Sequence, residues 1–229
     1  LGKTAITFQY AWAFGDFYPG GAWYISCANQ KNLATVIKSL SSDLNVTFSE
    51  EEQKDEIKGA KRILNELKVR AEEGAKKSNE NIKPAVLLIL DNVDYSELIE
   101  PPEADIISGK EWLKVLVTTR MGPKELHTDG TDISLLTIDE LPFEDALSLI
   151  ESYQKNGKFA NKTEKEKAEE IVELLGGFTL AIEVAALYLK QMDGRCSCAD
   201  FVELLKREGI EEIGTMTKKN ISHSKLISV

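Results

Sequence analysis

Cysteine and histidine are scarce in this chain, which limits the chemistry it can perform. Its 229 residues include three cysteines and two histidines. An odd and sparse set of cysteines (Cys27, Cys196 and Cys198) argues against a disulfide framework and is typical of a reducing compartment. Cys196 and Cys198 are too close in sequence for a usual zinc knuckle, and they have no histidine partner nearby. We therefore expect structural roles for the cysteines and no zinc site.

Long apolar runs and an excess of positive charge are also missing. No stretch approaches the roughly 18 apolar residues that a membrane helix needs, and "LGKTAITFQY" does not resemble a secretory leader. We expect a cytoplasmic protein that does not enter a membrane. The net charge of −10 repels the phosphate backbone of nucleic acids, so we expect no direct nucleic-acid binding by this segment.

Residues 1–136 read as an α/β domain. Apolar residues recur at helical spacing near the start of the chain and again from Leu33 to Leu44. A third, charged helix is predicted after the capping box formed by Ser49 and Glu52. Short apolar runs between these helices predict strands at residues 22–26, 85–90, 114–118 and 133–136. Strands that alternate with helices favour a parallel sheet.

The pattern changes after residue 136. Residues 137–208 show helical spacing without strands, which predicts a small all-α bundle. Its second helix should follow a capping box at residues 163–166 and end at the two glycines 176 and 177. Its third helix, from residue 179, is apolar nearly all round and should be central and buried. Residues 209–229 do not complete a domain.

A phosphate-binding motif is indicated at the start of the chain. Gly2, Lys3 and Thr4 match the last three positions of G-x-x-x-x-G-K-[ST] and lead directly into a predicted helix. Glycine lets backbone N–H groups approach an anion, lysine reaches the terminal phosphates, and threonine offers a hydroxyl to Mg²⁺. On its own, the tripeptide is more typical of an ordinary helix N-terminus, since G-K-[ST] often occurs by chance.

Two later segments strengthen this interpretation. In "LLILDNVD", Asp91 stands at the end of a buried strand, where a P-loop protein places a carboxylate near Mg²⁺. In "VLVTTR", Thr118, Thr119 and Arg120 end another strand, and a positive group there can face a γ-phosphate. The alternatives are a turn that favours Asp and a solvated arginine, but the ordered set is less expected by chance than any one piece.

These three segments, with "LLTIDELPFEDALSLI" and "LGGFTLAIEVAALYL", resemble the NB-ARC domain, the nucleotide-binding switch of STAND-class signalling ATPases. The resemblance covers nearly the whole chain. It implies a three-layer P-loop NTPase sheet whose first strand is missing, followed by a helical lid, with residues 209–229 as a linker or the start of a winged-helix domain. The chain would then be a fragment that begins inside its phosphate loop, so we expect it to bind nucleotide weakly.

The resemblance also assigns roles to residues. Thr4 and Asp91 would hold Mg²⁺, and Asp91 and Arg120 would act catalytically, with Arg120 sensing the γ-phosphate of bound ATP. The residues implied to bind ADP or ATP are Gly2, Lys3, Thr4, Ala5, Thr119, Gly177, Phe178, Thr179 and Leu180. The last four would contact the nucleotide from the helical bundle.

Two departures from the family pattern bear on activity. Thr179 replaces the proline of the family motif, which changes that contact, although threonine can also cap a helix. Asn92 stands where many relatives carry a second acid, and an amide cannot act as a general base. Hydrolysis would therefore be slow or would depend on Asp94, which could instead cap a helix.

The expected function is an ADP/ATP-controlled regulatory switch, at most a slow ATPase. Protein partners would act through flanking effector and sensor domains, the sensor often being a helical repeat, and the full-length protein could assemble when nucleotide binds. A metabolic P-loop kinase and a non-catalytic scaffold with a decayed nucleotide site are the alternatives. Trp12, Trp23 and Trp112 are expected to be packing residues.

Overall fold

The chain folds into two compact units. The computed structural model describes residues 2–78, 82–126, 134–192 and 194–209. An α/β unit comprises Lys3–Leu136, and a helical unit comprises Gly2 and the described residues from Thr137 onward. Among the described residues, no helix combines the length and the apolar character needed to cross a membrane. Of residues 209–229, assigned from the sequence to a linker or winged-helix start, all but Gly209 lie outside this description.

The α/β unit is built on a parallel sheet. Its strands are β1 (Ala22–Ser26), β2 (Val86–Val93) and β3 (Leu113–Thr119), hydrogen-bonded in the order β1-β2-β3. Its helices are α1 (Lys3–Ala13), α2 (Leu33–Lys38), α3 (Ser41–Leu44), α4 (Glu50–Lys54) and α5 (Glu56–Lys77). Short 3₁₀ turns lie at Gly15–Phe17, Ser96–Ile99 and Glu103–Ile106. A parallel sheet surrounded by helices agrees with the predicted α/β class.

The sheet forms the middle of three layers. β2 is buried on both faces from Val86 to Asp91, as expected for a continuous apolar strand in a parallel sheet. Successive side chains point to opposite faces, and Val86, Leu88 and Leu90 pack into one core with residues of α2 and α5. α1 lies over the other face, where the rings of Phe8 and Tyr24 are 5.1 Å apart.

Helix caps explain where the charged helices begin. The predicted capping box is present, because the Ser49 side chain accepts from the Glu52 N–H while the Glu52 carboxylate accepts from the Ser49 N–H. It starts the five-residue α4 rather than the long helix. α5 has its own cap at Asp55, whose side chain accepts from the Lys58 N–H at 3.0 Å.

Two predictions for the α/β unit are wrong. Ile133 lies outside the described residues, and residues 134–136 form no strand. Leu136 is 78% exposed, so this apolar run lacks the buried environment and neighbouring strand that its composition suggested. Trp12 is 81% exposed because α1 turns Thr7 toward the sheet and Trp12 away from it. Trp23 and Trp112 do pack against the core.

The helical unit contains four α-helices and a short 3₁₀ turn (Lys155–Gly157) in its described residues. The α-helices are α6 (Phe143–Tyr153), α7 (Lys162–Leu175), α8 (Thr179–Met192) and α9 (Cys198–Glu208). Their core is formed by fully buried side chains, among them Ile150, Ile171, Ile182 and Phe201. Glu170 of α7 accepts hydrogen bonds from Lys167 at 2.7 Å and from Lys206 of α9 at 2.8 Å, which lowers the pKa of Glu170 to about 2.

Two details of this unit differ from the sequence-based predictions. α7 begins one residue earlier than its predicted capping box, at Lys162, because the Asn161 side chain accepts from the Glu164 N–H at 2.9 Å. α8 is buried on one side only, since Leu180 remains 45% exposed. α7 ends as predicted at a glycine, with Gly176 in the left-handed region at φ 60°.

A glycine in α5 sets how closely this helix approaches the loop before β1. A Cβ at Gly74 would overlap the carbonyl oxygen of Pro19 and lie 2.6 Å from its carbonyl carbon. We expect Gly74→Ala to destabilise the chain by about 1–3 kcal/mol, since backbone overlap outweighs the helix propensity gained. Urea unfolding measures the change.

Gly15→Ala is the matched control, because a Cβ at Gly15 meets no atom within 4 Å. Its unfolding midpoint should stay near that of the unmodified chain. A Gly74→Ala midpoint at or above the control would contradict the proposed close contact.

Candidate functional site

The candidate site is organised around Asp91, at the point where β2 nears its end. Ser26, the last residue of β1, is the register partner of Asp91. Carboxyl ends of parallel strands meet at one edge of a sheet, so residues that end β1, β2 and β3 lie close together. Asp91 is only 6% exposed, which makes it one of the few buried polar side chains described.

Three hydroxyl groups hold the Asp91 carboxylate. Thr4 of α1 donates to Oδ1 at 2.8 Å, and Thr118 of β3 donates to the same oxygen at 2.6 Å. Tyr24 of β1 donates to Oδ2 at 3.0 Å. One helix and two neighbouring strands therefore fix a single carboxylate. Because these donors are neutral, they satisfy its hydrogen bonds without supplying a positive charge.

A β-bulge follows Asp91 directly. The pairing of β2 with β3 shifts between Leu90 and Val93, and Asn92 adopts a left-handed conformation at φ 59°. The Asn92 N–H donates to the Thr118 hydroxyl at 2.8 Å, while the Asp91 carbonyl accepts from the Cys27 N–H at 2.7 Å. Bulges redirect side chains beside functional sites, and here the bulge redirects the strand immediately after the carboxylate.

Desolvation is the largest cause of the pKa shifts of the two groups beside Asp91, although Tyr24 remains 38% exposed. Burial, followed by the hydrogen bond to Asp91, raises the pKa of Tyr24. Burial, with a smaller contribution from the Asp91 charge, raises the pKa of Cys27 to about 12. Cys27 is a neutral thiol at physiological pH, so it is a packing residue rather than a nucleophile.

The predicted phosphate-binding residues lie at the start of α1. Gly2 has a φ of 91°, in the region that favours glycine. Lys3 is the first residue of α1 and is partly exposed, and Ala5 is exposed in the first helical turn. Thr4, between them, makes the hydrogen bond to Asp91, which places the N-terminus of α1 beside the carboxyl end of β2.

At the end of β3, Thr119 forms hydrogen bonds to the backbone, whereas Arg120 is exposed. The Thr119 hydroxyl donates to the Val93 carbonyl at 2.8 Å and accepts from the Met121 N–H at 3.0 Å. It therefore fixes the backbone after the bulge. Arg120 follows β3 directly and is exposed.

Asp94 acts within the loops rather than as a helix cap. Its carboxylate accepts from the Asn29 N–H at 3.1 Å and from the Asn92 side-chain amide at 3.5 Å. The 3₁₀ turn that follows has no side-chain cap, so the expectation that Asp94 could cap a helix is wrong. Its hydrogen bonds tie the loop after β1 to the end of β2.

The four remaining predicted residues belong to the helical unit. Gly177 has a φ of 70°, and its carbonyl accepts from the Leu141 N–H at 3.0 Å. A Cβ there would lie 2.6 Å from the Leu141 carbonyl oxygen, so glycine is required by both conformation and space. Phe178 and Leu180 are 44% and 45% exposed. Thr179 is the first residue of α8.

The donor set around Asp91 fits a magnesium ion better than a transition metal. The Thr4 hydroxyl and the Asp91 carboxylate are hard oxygen ligands, and Mg²⁺ is commonly bound through one or two protein groups plus phosphate and water. In the part of the chain that the structure describes, no group of three or more His, Cys, Asp or Glu could hold a metal. A protein-only metal cage is therefore not formed by those residues.

Sequence reasoning missed Tyr24 as a member of the site and did not assign Thr118 a separate role. Both side chains lie on the face of the sheet that α1 covers. Because side chains alternate between the two faces of a strand, the sequence could have placed Thr118 on the opposite face from the predicted Thr119. Tyr24 depends on the register between β1 and β2, which pairs it with Ile89. Register is set by pairing between distant segments, so no local pattern in "AWYIS" indicates it.

A separate groove opens toward the beginning of β2 and β3. Its volume is about 580 Å³, and its walls include Tyr10 of α1, Phe14 just after that helix, and Leu87 and Leu116. None of its lining residues is among the predicted site residues. The groove and the Asp91 network are thus distinct features of the α/β unit.

Comparisons with known proteins assign this chain to no family. Neither a scan against protein-family models nor a search of curated proteins finds a match to this chain. Its functional interpretation therefore rests on the residues and their geometry.

The Thr118 hydroxyl should contribute measurably to stability. Thr118→Val removes a donor to the buried Asp91 carboxylate and an acceptor for the Asn92 N–H. We expect a loss of about 1–3 kcal/mol in the free energy of unfolding, the usual result of leaving buried polar groups unsatisfied. Thr47→Val, at an exposed threonine, serves as the control in the same urea titration. Equal midpoints for the two variants would contradict the described network.

Proposed function

We propose that the α/β unit is the nucleotide-binding part of an ADP/ATP-controlled switch similar to the NB-ARC domain. Lys3 and the start of α1 would bind the phosphates of the nucleotide, and Thr4 and Asp91 would hold Mg²⁺. A bound Mg²⁺ would supply positive charge against the phosphates. The proposal includes slow hydrolysis at most, in keeping with a switch whose bound nucleotide controls its conformation.

The observation that carries the proposal is the hydrogen bond between Thr4 and Asp91. These residues are 87 positions apart, yet the hydroxyl and the carboxylate oxygen are 2.8 Å apart. The phosphate-loop interpretation assigns both to one magnesium ion, and it does so without reference to their distance. Their contact supports that interpretation over an ordinary helix N-terminus and an unrelated turn.

The surrounding residues have chemistry that suits a polyphosphate. The Lys3 ammonium and the N-terminus of α1 are positive groups, and both stand at the end of the helix that carries Thr4. Because the hydroxyl of Thr4 and the carboxylate of Asp91 meet at the N-terminus of α1, an anion and a divalent cation could be held together there. Arg120, exposed after β3, would contact the additional phosphate that distinguishes ATP from ADP.

The asparagine next to Asp91 argues for slow hydrolysis of ATP. Asn92 cannot accept a proton as a general base, and its N–H already donates to Thr118. Asp94 carries a carboxylate, but that group accepts hydrogen bonds from Asn29 and Asn92. An amide rather than an acid next to a carboxylate held by three hydroxyl groups favours nucleotide retention over rapid hydrolysis, and any hydrolysis would depend on the exposed Asp94.

Binding of ADP with Mn²⁺, a paramagnetic substitute for Mg²⁺, tests the proposal. Water-proton relaxation detects the ternary complex even at a Kd on the order of 1 mM. We expect weak, saturable ADP-dependent binding by the unmodified chain. Lys3→Ala and Asp91→Asn should each abolish it, because the first removes the phosphate ligand and the second removes the charge that holds the ion.

Lys54→Ala and Asp16→Asn are matched controls at exposed positions. They change charge by the same amounts and should bind as the unmodified chain does. No ADP-dependent binding by the unmodified chain, or equal binding by Asp91→Asn and Asp16→Asn, would overturn the proposed function.

A further inference from the structure

We propose that Tyr24 is a positioning residue that sets the orientation of the Asp91 carboxylate for its metal ion. This inference rests on the proposed function, since it deepens the role of the same site. Tyr24 itself would contact neither the nucleotide nor the ion. It would act through the hydrogen bond from its phenol to Asp91 Oδ2, at 3.0 Å.

The register of the sheet explains how Tyr24 reaches Asp91. Tyr24 is paired with Ile89, and Ser26 is paired with Asp91, so Tyr24 and Asp91 are diagonal neighbours on adjacent strands. Diagonal neighbours on one face are within reach of a long aromatic side chain, and the Tyr24 hydroxyl does reach Asp91. A shorter hydroxyl residue at position 24 would not span this separation.

The two oxygens of Asp91 have different partners. Oδ1 accepts from Thr4 and Thr118, whereas Oδ2 accepts from Tyr24. A carboxylate that is held at both oxygens cannot rotate about its Cβ–Cγ bond without breaking a hydrogen bond. Thr4 and Thr118 hold Oδ1, and Tyr24 adds the contact at Oδ2 that fixes the plane of the carboxylate next to Thr4, the other residue assigned to Mg²⁺.

The ring of Tyr24 is held in place by α1. Its centroid is 5.1 Å from that of Phe8, with the rings inclined by 30°, a favourable spacing for an aromatic pair. α1 thus supplies Thr4 directly and supports Tyr24 through Phe8. This arrangement suits Mg²⁺, which requires nearly ideal octahedral geometry and tolerates little displacement of its ligands.

The test separates metal-dependent binding from nucleotide binding in general. ADP affinity is measured for the whole chain by ligand-observed NMR, once with saturating Mn²⁺ and once with EDTA, and the ratio of the two affinities is compared between variants. Tyr24→Phe keeps the ring and its contact with Phe8 while it removes the hydroxyl. We expect this ratio to fall about tenfold, as is usual when a partner of a metal ligand is removed, and the affinity in EDTA to stay unchanged.

Tyr10→Phe is the matched control. The Tyr10 hydroxyl pairs with that of Tyr18 at 2.8 Å, so its loss also removes one hydrogen bond of an aromatic residue but none at Asp91. Its affinity ratio should equal that of the unmodified chain.

Each other outcome has a distinct meaning. An unmodified chain without ADP binding in Mn²⁺ refutes the proposed function and the role of Tyr24 with it. A chain that binds normally while Tyr24→Phe keeps the full ratio refutes the positioning role only. Equal losses of affinity in Mn²⁺ and in EDTA would indicate a general structural effect of Tyr24 and would also overturn the inference.

Discussion

The buried carboxylate of Asp91 is the constraint on which the architecture of the α/β unit depends. A charged group in this position is costly unless its oxygens are satisfied, and α1, β1 and β3 each supply a hydroxyl for that purpose. Meeting this requirement fixes the N-terminus of α1 against the end of β2. The same hydrogen bonds link β1 and β3 to the end of β2. Packing on the opposite face, through α2 and α5, provides the rigid support.

The hydroxyl groups around Asp91 satisfy its hydrogen bonds but do not cancel its negative charge. The Thr and Tyr hydroxyls hold the Asp91 carboxylate in one orientation, yet its negative charge remains available to a cation. The bulge at Asn92 then turns the chain away, so the backbone beyond the carboxylate does not continue as a regular strand. A fixed orientation, a negative charge without a cationic partner among its hydrogen-bond donors and a bulge directly after it are features expected of a carboxylate that binds a metal ion. This combination links the fold to the proposed nucleotide site.

Much of the framework could be predicted from local pattern. The run before Asp91 is apolar at every position, so a buried strand with a polar end was readable, as was the capping box at Ser49. Three features could not be read in that way. The pairing of Tyr24 with Ile89 depends on register between distant segments. The left-handed Asn92 depends on the bulge. The exposure of Leu136 and Trp12 depends on what packs nearby, which composition does not encode.

The most direct test of the account is to locate bound Mn²⁺ on the chain. Paramagnetic broadening of amide signals by Mn²⁺ and ADP together identifies the residues nearest the ion. The account predicts that broadening begins at Thr4, Asp91 and Thr118, which share one carboxylate. Broadening spread over the acidic first turn of α4, with those signals unaffected, would contradict it.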